Sequence, residues 1–177
     1  MTIYPVIMCG GSGTRLWPVS TSRTPKQFVN LVSGESLFRQ TARRVAQADD
    51  TPLAILLEPC ARNTAAVAAI AAEYISRIDP DGLVLLLPAD HFIGMPAAFR
   101  KAVADAAGIA KDRRIVTFGI SPNSPETGFG YIKAGEPIGA SGFTVAAFRE
   151  KPDMETAVTY LADDTYSWNA GIFLFPA

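Results

Sequence analysis

Residues 10–13 read Gly10-Gly11-Ser12-Gly13, with Thr14 and Arg15 directly behind them. Three glycines in four residues let backbone N–H groups approach an anion closely, which is how a chain builds a nest for phosphate. The surrounding charge agrees. No acid occurs before Glu35, whereas Arg15, Arg23 and Lys26 fall in that stretch, a local charge of +3 in a chain whose total is −1. The loop is not a Walker A sequence, since no Gly-Lys-Ser/Thr follows at the required spacing. Nor is it a dinucleotide fingerprint, since Leu16 takes the place of the third glycine. A tight turn with solvated basic residues is the plainer reading of the glycines alone; Arg15 and Lys26 tip the balance toward phosphate.

Other chemistry-bearing residues stand just behind apolar runs. Asp90 follows residues 83–87, Glu58 follows 53–57, and the adjacent Glu150 and Lys151 close a run ending at Phe148. A carboxylate such as Asp90 is a hard oxygen ligand for a divalent cation, or else a cap for a helix or turn. No Ser-His-Asp or Cys-His arrangement is visible, and the single histidine, His91, reads as a loop residue beside Asp90. Cys9 and Cys60 have no partner at Cys-x-x-Cys spacing, so a zinc site and a disulfide framework are both excluded; they read as buried, reduced thiols of a cytoplasmic protein.

The elements that must position these groups alternate. Residues 3–9 are expected to form a strand, 36–47 a helix, 53–57 a strand, 63–78 an alanine-rich helix capped by Asn63 or Thr64, and 83–87 a strand. A helix over 96–111 and a strand over 115–120 follow. After a segment rich in Gly, Pro and Ser come short strands near 131–133 and 143–148, a helix over 153–163 and a last strand over 170–175. Strand and helix in alternation predict an α/β fold, a Rossmann-like, mostly parallel but mixed sheet with helices on both faces. Ligands of such sheets sit at the carboxyl ends of the strands. The 177 residues suit one domain, and 49% apolar with 19% charged residues excludes disorder. A net charge of −1 leaves no basic surface for nucleic acid, and no run approaches the ~18 apolar residues of a membrane span.

The string from Gly10 to Pro18, followed by Pro25-Lys26-Gln27-Phe28, resembles the signature of the sugar-1-phosphate nucleotidyltransferases, and within them the bacterial mannose-1-phosphate guanylyltransferases. Further segments match in order: Glu58-Pro59 with Arg62-Asn63-Thr64-Ala65, then Pro88-Ala89-Asp90-His91, then Thr127-Gly128-Phe129-Gly130-Tyr131-Ile132. Phe148-Arg149-Glu150-Lys151-Pro152 and Trp168-Asn169-Ala170-Gly171-Ile172-Phe173 complete the set. Each is weak alone; together they cover nearly the whole chain.

The resemblance implies a fold of the nucleotide-diphospho-sugar transferase type and the transfer of GMP from GTP to mannose 1-phosphate, with Mg2+ as cofactor. It implies that Arg15 and Lys26 are catalytic, and that Gly10, Gly11, Ser12, Gly13, Thr14, Glu58, Arg62, Asn63, Thr64 and Pro88 bind the nucleotide. Gly130, Tyr131, Glu150, Lys151 and Asn169 would hold the sugar phosphate, and Asp90 the metal. Residue chemistry is compatible with each role. An ionised Glu58 only accepts, which matches the adjacent N1–H and N2–H donors of guanine; its alternative is a cap or ion pair with Arg62. The Glu150 carboxylate can accept from sugar hydroxyls and the Lys151 ammonium can meet a phosphate, or the two form an exposed ion pair before Pro152. Asn169 can also be read as a turn residue, and Trp17 and Trp168 as core filling.

Two departures accompany the resemblance. The family has a further strand–helix unit after the first helix, and another metal-binding aspartate beyond the position of Phe175. The chain is therefore expected to be a nucleotidyltransferase core, residues 1–177, lacking residues near 46–52 and after 177. A homodimer is compatible with this reading, and no membrane partner is expected. The alternatives are a nucleotide-sugar-binding module without turnover, and a nucleotidyltransferase for another sugar 1-phosphate.

Overall fold

The computed structural model describes residues 2–10, 18–21, 23–30, 34–46, 53–58, 63–139 and 142–177. They fall into two compact units, Met1–Ala102 with Ala177, and Val103–Pro176.

The first unit is built on two parallel strands, β1 (Ile3–Met8) and β2 (Leu83–Pro88), in register from Ile3 opposite Leu83 to Met8 opposite Pro88. β2 reads Leu-Val-Leu-Leu-Leu-Pro, and its first five residues are at most 2% exposed. A fully buried strand needs no polar alternation, and each of these side chains contributes ~1.5–3 kcal/mol by leaving water. The turn before β2 is tied down by the Gly82 N–H donating to Asp79 O at 2.9 Å and by the Tyr4 hydroxyl donating to Asp79 Oδ2 at 3.2 Å. Helix α1 (Leu37–Val45) starts where the Ser36 hydroxyl accepts from the Arg39 N–H at 3.2 Å. Helix α2 (Thr64–Ser76) has Asn63 as its N-cap residue without a side-chain cap bond. Helix α3 (Pro96–Ala110) runs across the boundary of the two units.

The second unit is antiparallel. Strand β3 (Val116–Ile120) pairs with β6 (Tyr166–Pro176), β6 also pairs with β4 (Gly130–Ile138), and β4 pairs with β5 (Gly142–Glu150). Helix α4 (Met154–Leu161) begins where the Asp153 carboxylate accepts from the Thr156 N–H at 2.8 Å. The sheet pairing is thus mixed, with its parallel pair in the first unit and its antiparallel pairs in the second.

Three expectations are corrected. Residues 53–58 form no strand, and Leu53, Ile55 and Leu57 are 70%, 77% and 89% exposed. Their composition suits a buried strand, but no described strand pairs with them, and an unpaired extended run gains nothing from its β propensity. Cys9 is exposed, because it lies past the last residue of β1; desolvation around its sulfur still raises the thiol's pKa. The last strand starts at Tyr166 instead of residue 170, since pairing with β3 and β4 carries it through Trp168 and Asn169. Cys60 lies outside the described residues.

Candidate functional site

The register of β1 with β2 brings two sequence-distant segments together at the strands' carboxyl ends. Met8 is opposite Pro88, and the Ala89 N–H donates to Met8 O at 3.1 Å, so Gly10 and Asp90 both follow within two residues of that rung. Lys26 opens a single 3₁₀ turn, Lys26–Phe28, and its ammonium forms an ion pair with the Asp90 carboxylate. Both side chains keep contact with water, at 35% and 25% exposure. A pair this open is worth ~0–1 kcal/mol, so stability gives little reason for it.

Two neighbours hold the pair in place. Gln27 is 2% exposed, and its Nε2 donates to Cys9 O at 2.7 Å, anchoring the 3₁₀ turn to the root of the glycine loop. Gln27 Oε1 is buried without a hydrogen-bond partner among the described residues. Arg44, on α1 and 7% exposed, donates from Nη2 to His91 O at 3.1 Å and lies over the Phe99 ring. It therefore clamps the main chain one residue beyond Asp90. Burial pushes the His91 imidazole below its usual pKa; Asp90 opposes that shift, and Arg44 and Lys26 add to it.

Pro88 closes β2, and Asn63 and Thr64 are exposed at the start of α2. Glu58 is exposed at the end of the irregular segment and not at a strand end. Gly11, Ser12, Gly13, Thr14, Arg15, Trp17 and Arg62 lie outside the described residues.

The second unit assembles its own polar group. Gly130, at the start of β4, is opposite Glu150, at the end of β5. A Cβ on Gly130 would come 2.6 Å from Glu150 Oε2 and 3.4 Å from Asn169 Cβ, so the absent side chain is what lets the Glu150 carboxylate lie this close to the β4 backbone beside Asn169. Lys151 has φ 47°, a left-handed backbone that a side chain resists, and its N–H donates to Phe129 O at 3.0 Å. Its ammonium is 3.9 Å from Glu150 Oε1. Asn169 Oδ1 accepts from the Thr117 hydroxyl at 3.0 Å and from the Gly171 N–H at 3.1 Å. Tyr131 is 0% exposed and packs against Tyr160, so it offers a ligand its backbone and not its ring. Trp168 is partly buried and meets Phe129 edge-on.

Among the expected residues, the structure therefore brings Gly10, Lys26, Pro88 and Asp90 together in one unit, and Gly130, Glu150, Lys151 and Asn169 in the other. Gln27, Arg44 and Thr117 emerge only from the structure. Gln27 stands inside the quoted Pro25-Lys26-Gln27-Phe28 string; Arg44 and Thr117 carry no sequence signal, because their partners are remote.

Known proteins share this arrangement of chain. The Xanthan biosynthesis protein XanB of Xanthomonas campestris pv. campestris is 45% identical over 199 aligned residues, covering 99% of this chain and 42% of that protein. The mannose-1-phosphate guanylyltransferase of Escherichia coli K12 is 41% identical, covering 99% of this chain and 43% of its own length. The chain thus spans less than half the length of these curated relatives. A Thermus thermophilus structure named mannose-1-phosphate geranyltransferase superposes with a TM-score of 0.88 at 33% identity, covering 99% of this chain and 58% of that one. A Helicobacter pylori structure named mannose-6-phosphate isomerase superposes with a TM-score of 0.79 at 26% identity, covering 99% and 71%. No described helix is long and apolar enough to cross a membrane. The nucleotidyl transferase family model matches residues 4–57 and 50–177, and the chain belongs to that family.

Proposed function

We propose that this chain carries the core of a mannose-1-phosphate guanylyltransferase, which transfers GMP from GTP to mannose 1-phosphate and releases pyrophosphate. The observation that carries the reading is the meeting of Lys26 and Asp90 beside the start of the glycine loop. The relatives' names supply the substrates, and the whole-chain similarity makes them the first to test.

The nucleophile in this reaction is a phosphate oxygen of the sugar phosphate, already ionised at neutral pH. It attacks the α-phosphorus, the P–O bond to pyrophosphate breaks, and no proton must be removed. Catalysis then rests on placement and charge neutralisation. Lys26 and Arg15 neutralise the triphosphate, and the backbone of residues 10–14 cradles it. The Glu58 carboxylate accepts from guanine, with Arg62, Asn63, Thr64 and Pro88 around the nucleoside. Gly130, Glu150, Lys151, Asn169 and the backbone of Tyr131 receive mannose 1-phosphate.

Asp90 suits a Mg2+ ion. It is a single hard carboxylate, no cluster of three or more possible ligands surrounds it among the described residues, and a cation, the Lys26 ammonium, already rests on it. Mg2+ characteristically takes one or two carboxylates and completes its shell with substrate phosphates and water. When bound, the ion supplies charge that stabilises the leaving pyrophosphate. GTP is an intracellular metabolite, so a cytoplasmic location belongs to this reading, and a homodimer is compatible with it.

The deciding experiment measures pyrophosphate release from GTP with mannose 1-phosphate and Mg2+. Release that requires both substrates is the expected result. Release with another sugar 1-phosphate only, or nucleotide binding without release, overturns the assignment.

A further inference from the structure

The Asn169 amide is held in one orientation by two donors. Gly171 has φ 65°, a left-handed conformation open to glycine, and this curls β6 so that the Gly171 N–H reaches Asn169 Oδ1 at 3.1 Å. Pairing with β3 records the same distortion: Thr117 is opposite Phe173 but Gly119 is opposite Asn169, so two steps on β3 span four on β6. Such bulges re-aim a side chain beside a site. The Thr117 hydroxyl lies 3.0 Å from the same Oδ1. A backbone N–H can only donate, so the atom it meets is the amide oxygen. Thr117 must then be the second donor, and its contact with Ile172 O, at 3.4 Å, is the longer one.

With its oxygen taken twice, Asn169 has only its NH2 group left to offer, and no described residue accepts from it. Asn169 Cβ and the acceptor-only carboxylate of Glu150 both lie against Gly130, 3.4 Å and 2.6 Å from where its Cβ would be, so the donor belongs to a side chain next to that carboxylate. We propose that Thr117 is a positioning residue of the sugar-phosphate site. Its hydroxyl locks the Asn169 amide so that the nitrogen, and not the oxygen, meets the ligand. The contact then selects an acceptor, a sugar hydroxyl or phosphate oxygen. This rests on the proposed function only in taking Asn169 as part of that site.

The test uses Thr117→Val, which keeps the shape and removes the donor, and Thr117→Ser, which keeps the hydroxyl. Thr117→Val is expected to raise KM for mannose 1-phosphate about tenfold, with kcat and KM for GTP within about twofold of wild type, as befits one lost hydrogen bond. Thr117→Ser is expected to stay within about threefold of wild type in all three, since its hydroxyl makes the same bond. Independently of turnover, the Asn169 side-chain NH2 signal is followed by nitrogen–proton NMR on the full chain. It should shift in Thr117→Val, and in wild type on adding mannose 1-phosphate. Absence of wild-type turnover with mannose 1-phosphate would overturn the proposed function alone, because the NMR arm still reads the lock. An NH2 signal unmoved by Thr117→Val or by mannose 1-phosphate overturns the Thr117 proposal. So does a serine variant as impaired as the valine variant.

Discussion

Lys26 and Asp90 are each other's partners in the free protein, although the proposed reaction needs both for other partners. Nucleotide and metal must therefore separate them, and one residue's loss should act on the other. Lys26→Ala is expected to lower kcat/KM at least a hundredfold, ~2.7 kcal/mol of transition-state stabilisation, without unfolding the protein. Steady-state kinetics with a thermal melt of the same preparation check this; near-normal turnover in a folded variant removes Lys26 from the catalytic set. Glu58 makes a second prediction. Adenine opposes a carboxylate with its N1 lone pair, and uracil offers one donor between two acceptors, so Glu58→Gln should erode the preference for GTP over UTP. Because Glu58 is exposed, the drop in the kcat/KM ratio should be roughly 10–100-fold, short of the ~10⁴-fold of a buried polar contact. An unchanged ratio assigns base reading elsewhere. At this scale the sequence was informative about charge and poor about support. Lys26 and Asp90 stood out by type and position. Arg44 and Thr117 did not, because each acts on a residue far along the chain: the carbonyl of His91 for one, the amide of Asn169 for the other.

The junction between β5 and α4 shows what elements cost and return. Lys151 is held at positive φ directly before Pro152 and the Asp153 cap. Replacing it with glycine relieves a left-handed conformation that costs a side chain roughly 1–2 kcal/mol, so Lys151→Gly should raise stability by about 1 kcal/mol while weakening mannose 1-phosphate binding. Denaturant titration and KM read the two effects; a destabilised variant would show that the lysine's backbone is not strained. Asp153 gives the pH dependence. Hydrogen bonds from Thr156, first from its side chain and then from its backbone, hold the carboxyl below the usual range. A depressed native pKa means stabilisation that is complete above the unfolded value near ~4 and is lost as pH falls through the native one. The melting-temperature advantage of wild type over Asp153→Asn should therefore be present at pH 7 and shrink progressively as pH falls below about 4. A constant gap would place the effect elsewhere. The helix starts expected at residues 36 and 153 fall within one residue of those of α1 and α4, because helical spacing is a local signal. The bulge at Gly171 was not, since it exists only through pairing with β3.

For the molecule as a whole, alternation of apolar strands and helical segments was enough to anticipate an α/β fold; the nucleotidyl transferase family came from the resemblance of the ordered motifs, and the family match agrees with it. Alternation was not enough to distinguish residues 53–57 from β2. Both are short runs of Leu and Ile or Val with no polar interruption. A buried strand and an unpaired one are written in the same alphabet, because composition records what a segment needs and not whether a neighbour exists to meet it. Leu53, Ile55 and Leu57 stay in water for that reason. Substituting Ile55 and Leu57 by lysine removes no packed contact, so it should leave the melting temperature within the small range of surface changes while lowering light scattering across a concentration series. Scattering that does not change would mean the run is covered in solution. The wider consequence lies in the cell. Exposed apolar runs are what holdase chaperones and quality-control proteases read, and a run exposed in the folded chain would be open to them before any unfolding. The abundance of this protein would then depend on how quickly that run is hidden as well as on how firmly the rest of the chain is folded.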